Sequence, residues 1–134
     1  MPREYPHLLK EDILLWKRFL ASQHNLYTTF EYDVRVGDGR DPGPYYDKNI
    51  RKMALDLSQR RIDVIAHTTT DITIIEISLN PGLTQIGQLL AYPTLYKLTY
   101  HYTGIIKTLL VAATLQSDLQ PVLHEGHMPY VLLP

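Results

Sequence analysis

The stretch Arg60–Ser78, RRIDVIAHTTTDITIIEIS, decides how this chain is read. Two runs rich in β-branched residues, Arg61–His67 and Ile72–Leu79, flank the polar turn TTTD, the pattern of a β-hairpin. Each run carries one isolated carboxylate, Asp63 in the first and Glu76 in the second. An unpaired carboxylate inside an apolar strand is costly, so it needs a partner or a task. A turn centred on Thr69 and Thr70 pairs residues whose numbers sum to 139. Asp63 then faces Glu76, with Cβ atoms about 4.5–5.5 Å apart, and Arg61 faces Ser78. Facing acids repel unless a cation sits between them, and Mg²⁺ or Mn²⁺ takes such oxygen ligands. The other reading puts both acids on a solvent face beside Arg60 or Arg61. Ile74, Ile75 and Ile77 argue against it, because they place apolar residues on both faces around Glu76.

Upstream, residues 6–23 predict an amphipathic helix with Leu9, Ile13, Trp16 and Leu20 on one stripe. Residues 27–36 predict a strand with one wet face, Tyr32, Val34 and Val36 alternating with Glu31, Asp33 and Arg35. The stretch GDGRDPGPYYDKN at residues 37–49 is a loop by composition, and a helical turn or two follows over residues 50–59. Downstream, Asn80 is a candidate N-cap and Pro81 a first helical residue. The helix they open runs toward Tyr100, with a kink or break expected at Pro93. The apolar run at residues 104–114 predicts a strand covered on both faces, and residues 130–133 an edge strand. The order is helix, three strands, helix, strand: an α/β fold with a mixed sheet flanked by helices, in a single domain over residues 1–134.

Composition narrows the function classes. Among 134 residues there is no Cys, which removes disulfide and thiolate chemistry. The net charge of −1 means that DNA could be held only through a local basic patch. No apolar stretch reaches the roughly 18 residues of a membrane span and no charged leader opens the chain, so a soluble, unsecreted protein without a membrane partner is expected. Ten Tyr against two Phe suit half-buried sites and docking surfaces. His124 and His127 are three apart, but Gly126 and Pro129 make a surface loop the better reading. His67 shares a strand face with Asp63 and is read as a structural histidine.

The hairpin followed by GLTQIGQLLAYPTLY at residues 82–96 resembles the core of the PD-(D/E)XK nuclease superfamily, across residues 11–114. Gln88 and Tyr92 match the Gln-x-x-x-Tyr signature of its RecB-type branch, with Gln85 beside them. The resemblance implies an αβββαβ restriction-endonuclease-like core and substrate-binding roles for Gln85, Gln88 and Tyr92. It implies that Asp63 and Glu76 are metal ligands, joined by an acid of the first helix, Glu11 or Asp12. It implies Mg²⁺- or Mn²⁺-assisted hydrolysis of DNA phosphodiesters. The sequence departs from the pattern where Glu-x-Lys places its lysine: Ser78 stands there. A serine supplies no positive charge, and loss of such a cation costs orders of magnitude in rate. Arg61 is the nearest substitute, but it stays protonated and cannot act as a base.

The chain also resembles small phage-encoded members of that superfamily that accompany virion assembly genes. That implies an inactive fold serving as a neck, connector or head-completion subunit, in a homo- or hetero-oligomer with other phage structural subunits. Its place would be the host cytoplasm or the assembled virion. An active metal-dependent deoxyribonuclease is the alternative.

Overall fold

A computed structural model describes residues 5, 8–23 and 26–134. Pro6, where the sequence starts its first helix, lies outside them. The elements are α1 (Lys10–Ser22), β1 (Thr29–Val36), α2 (Lys48–Ser58), β2 (Arg60–His67), β3 (Asp71–Ser78), α3 (Leu83–Tyr100), β4 (Ile105–Ala112), α4 (Gln120–Glu125) and β5 (Tyr130–Leu132). The five strands form one mixed sheet in chain order, flanked by helices. β1, β2 and β3 run antiparallel, while β4 and β5 are parallel to their neighbours. The parallel step from β3 to β4 needs a crossover, and α3 supplies it. This is the α/β, mixed-sheet architecture the sequence predicts. No described helix is long and apolar enough to cross a membrane.

β3 is the central strand, and Ile72 to Ile77 are buried without interruption. On one face Leu15, Trp16 and Phe19 of α1 pack on Val64, Ile75 and Ile77. On the other, Tyr92 of α3 packs with Ile62, Ile65, Ile72 and Ile74. The hairpin closes at Thr68, whose Oγ1 accepts from the N–H groups of Thr70 and Asp71. Its register, Val64 with Ile75 through His67 with Ile72, is the one whose numbers sum to 139.

Three local expectations fail. The first is the buried face of α1: Asp12, Leu15, Trp16 and Phe19 point inward, while Leu9 is 63% exposed. The docked helix is turned by about one residue, so that Trp16 stacks on Phe19 and sets its edge to Phe30 and Tyr32. That turn carries Asp12 into the protein. The second is β1, which does not keep one wet face. Tyr32 joins the α1-side core, whereas Val34 and Val36 join the α3-side core. The change of side falls at Asp33, which has a left-handed backbone, φ 56°. β2 changes side at the same level, between Ile62 and Val64. Asp tolerates this backbone better than most residues. The third is the start of α3, which is capped at Gly82 rather than Asn80; at Pro93 the helix does not break but runs on from Leu83 to Tyr100. Asn80 instead meets the Thr114 hydroxyl, and packing on the sheet holds the helix together across the proline.

Residues 37–59 form a closed arm between β1 and β2. Gln59 Nε2 donates to Gly37 O, the Arg40 N–H donates to Ser58 Oγ, and Arg51 pairs with Asp41. Asp47 caps α2 by accepting from the Ile50 N–H. Helix α2 is longer than the turn or two expected, yet none of its residues is buried. Gly39 is the hinge-pin: its φ is +71°, and a Cβ there would collide with the Leu55 carbonyl. Gly39→Ala is therefore expected to cost about 1–3 kcal/mol. The cost should stay local, because α2 buries nothing. Hydrogen exchange should accelerate across residues 37–59 and leave the β3 amides at the parent rate; equal acceleration in both would refute the local account.

Candidate functional site

The site forms where β2 and β3 part. Beyond Val64–Ile75, carboxylates take over from the backbone ladder. The Asp63 N–H donates to Glu76 Oε2 at 3.0 Å, and the Ile77 N–H donates to Asp63 Oδ2 at 3.0 Å. Each acid therefore clasps the other's strand, which draws the two together across the gap. Glu76 is almost wholly buried, 1% exposed. Burial and then the nearby Asp63 charge push its carboxyl well above the ordinary range.

Asp12 enters from α1. Its carboxyl is raised to about 6, first by burial and then by the charges of Asp63 and Glu11, while the Leu79 N–H favours the ionised form. The hydrogen bond to Leu79 ties α1 to the residue just past Ser78. Glu11, offered with Asp12 as the helix acid, is exposed on the outer side of α1, so the fold selects Asp12. From the opposite face, α3 brings Tyr92, which is buried and accepts from Gln88. Its phenol is pushed up to about 12 by burial, with Glu76 and Asp63 adding to the effect.

Two expected members lie elsewhere. Gln85 caps α3, its Oε1 accepting from the Gly82 N–H at 2.8 Å, so its side chain is spent on the helix start. Arg61 does not face Ser78. It pairs with Arg35 across β1, and its guanidinium lies 3.5 Å from Asp33. The side switch in β1 and β2 turns it toward the edge strand. Ser78 sits at the end of β3 beside Ala112 of β4. Lys97 is exposed on α3, and Lys107 pairs with Asp71 at the other end of β3. His67 meets Glu31, the structural role expected of it. His124 stacks on Tyr130 at the end of α4.

The sequence reading missed two residues. Arg60 is the cation that registers at the site, lowering the Tyr92 phenol against the acids. Asp33 lies level with Asp63, between the pairs Tyr32–Val64 and Val34–Ile62. Its Oδ1 is buried without a hydrogen-bond partner. The Arg60–Arg61 doublet was a visible signal for the first; nothing in Tyr32–Val34 signals the second.

The acids do not form a closed cage: no group of three or more His, Cys, Asp or Glu side chains able to hold an ion occurs among the described residues. Asp63 and Glu76 fit the sparser arrangement of Mg²⁺, which is commonly held by one or two carboxylates with water and phosphate oxygens. Where a buried acid holds a proton, a divalent ion displaces it on binding.

No family model, curated protein or solved structure matches the chain. Geometry alone has to carry the functional reading.

Proposed function

We propose that this chain is a non-enzymatic, DNA-contacting assembly subunit built on a disarmed PD-(D/E)XK-type nuclease scaffold. It would work at a phage neck, connector or head-completion stage, in an oligomer with like or unlike structural subunits. One observation carries the disarmed reading. Asp63 and Glu76 clasp each other's strands and Asp12 of α1 lies within reach of the Asp63 charge, yet β3 ends in Ser78 where such a site needs an ammonium group. The effects acting on Glu76 and Asp12 come from burial, acids and backbone N–H groups. The unburied face of α2 supports a docking role.

Asp63 and Glu76 would hold Mg²⁺ or Mn²⁺, with Asp12 near enough to feel the Asp63 charge. When bound, such an ion polarises phosphate and acidifies water. Gln88 and Tyr92 would line the approach from α3. The nearness of Asp12 to the Asp63 charge favours a second reading, a slow metal-dependent deoxyribonuclease.

Plasmid cleavage in Mg²⁺ or Mn²⁺ separates the two. The parent is expected to leave the plasmid intact, and Ser78→Lys to gain at least about a hundredfold over that baseline. Asp63→Ala in the Ser78→Lys background should remove the gain. Metal-dependent cutting by the parent, lost in Asp63→Ala and Glu76→Ala, would establish the enzyme instead. No metal binding by either parent or variant would leave the acids structural and end both readings.

A further inference from the structure

Charge on this chain is unevenly distributed. Residues 35–61, a fifth of the sequence, hold seven of the 13 Lys and Arg against four Asp, a local charge of +3. The other residues hold six against ten, −4, which gives the net −1. Two of the seven cations are paired, Arg51 with Asp41 and Arg61 with Asp33. Arg35, Arg40, Lys48, Lys52 and Arg60 make no ion pair among the described residues.

The arm's base forms a cleft against α3. Arg40, Arg60, Asp38, Gly37, Gly39 and Leu95 line a space of about 210 Å³. Its two guanidinium groups outnumber the single carboxylate, and with glycine backbone between them they suit an anionic backbone that must come close. Within the same arm, Tyr45 is 98% exposed and its neighbour Tyr46 half exposed. An exposed ring in a segment that also carries unpaired cations is the composition of a stacking platform for unpaired bases.

We infer that the arm of residues 37–59 is a binding site for single-stranded nucleic acid, with backbone phosphates on Arg40 and Arg60 in the cleft and a base stacked on Tyr45. This rests on the DNA-contacting part of the reading above and names where contact is made. It does not depend on metal at Asp63 and Glu76. The exposed stripe of Ile50, Met53 and Leu57 on α2 would by itself suit a protein partner. Charge and the guanidinium-lined cleft favour the nucleic acid.

The test is fluorescence anisotropy with labelled oligothymidine of about 20 nucleotides in EDTA, across a salt series. Arg40→Glu with Arg60→Glu is expected to weaken binding at least tenfold and flatten the salt slope by about 1.4, roughly 0.7 for each lost phosphate contact. Tyr45→Ala is expected to weaken it about fivefold or more with the slope unchanged, and Tyr45→Trp to restore it. Lys97→Glu with Lys107→Glu, an equal change of net charge on other faces, should bind as the parent does. Parent-like binding by the arm variants overturns the inference. So does binding that falls equally in the Lys97/Lys107 control. If Ile50→Ser with Leu57→Ser disperses an oligomer while the arginine and tyrosine variants bind normally, the face belongs to a protein partner and the inference also fails. Mn²⁺ titration of Asp63→Asn fails or succeeds separately, so loss of the acid-site reading would not be mistaken for loss of this one.

Discussion

Glu76→Gln is expected to stabilise the metal-free protein at alkaline pH and to abolish its response to divalent ions. Glutamine keeps an oxygen to accept from the Asp63 N–H and offers an N–H₂ toward the Asp63 carboxylate. It removes only the charge. Glu76 and Asp12 both have carboxyls raised above their unfolded values. Their contribution to stability is therefore full below about pH 4 and is lost as pH rises through the folded values. For Asp12 that loss sets in above about pH 4 and is nearly complete by about 6. For the more deeply buried Glu76 the loss has the same direction. A buried, uncompensated carboxylate costs several kcal/mol, so at pH 9 the variant should gain about 2 kcal/mol, roughly 6–10 °C in Tm. At pH 4 parent and variant should melt together. Mg²⁺ or Mn²⁺ should raise the Tm of the parent at alkaline pH and leave the variant unmoved. A parent whose Tm in EDTA is flat from pH 4 to 9 would remove the physical basis of the site. Glu76→Ala separates charge from hydrogen bonding: it relieves the repulsion but strands the Asp63 N–H, which costs about 1–3 kcal/mol at every pH.

Trp16→Ala should be the most damaging single truncation. Trp16 is completely buried, stacks on Phe19 and meets Phe30 and Tyr32 edge-on, and its Nε1 donates to the Tyr32 hydroxyl. Its loss should cost about 3–5 kcal/mol, a third or more of the stability of an ordinary domain. The damage reaches the site, because α1 also carries Asp12. Even where the variant stays folded, loosening α1 should lower the Asp12 carboxyl toward its ordinary value as water reaches it. NMR titration of Asp12 reads that change, and chemical denaturation reads the stability. A loss under about 1 kcal/mol would mean that α1 is not what holds this face of the sheet.

Some of this was written in local sequence. The TTTD turn with its β-branched flanks set the hairpin register, and the register brought Asp63 and Glu76 together. Alternation cannot slip by one residue without turning every side chain over. The helix after the hairpin and the covered strand that follows it were legible from the element order and from the apolar run at residues 104–114. Gln88 and Tyr92 were picked out by their resemblance to the Gln-x-x-x-Tyr signature, and their four-residue spacing put them on one helical face.

Other features belong to the assembled fold. Which face α1 buries was settled by the fit of Trp16 among three other rings, and the choice between Glu11 and Asp12 followed from it. Periodicity gives the width of an apolar stripe but not its rotation to within a residue. The side switch at Asp33 and Asp63 redirected Arg61 to Asp33, and a positive-φ aspartate inside an alternating strand carries no sequence mark. The sequence by itself determined that β2 and β3 pair as a hairpin and which two acids meet. Only the tertiary structure decided which further charges reach them, because pairing follows a local two-residue repeat whereas charge proximity depends on how separate elements dock.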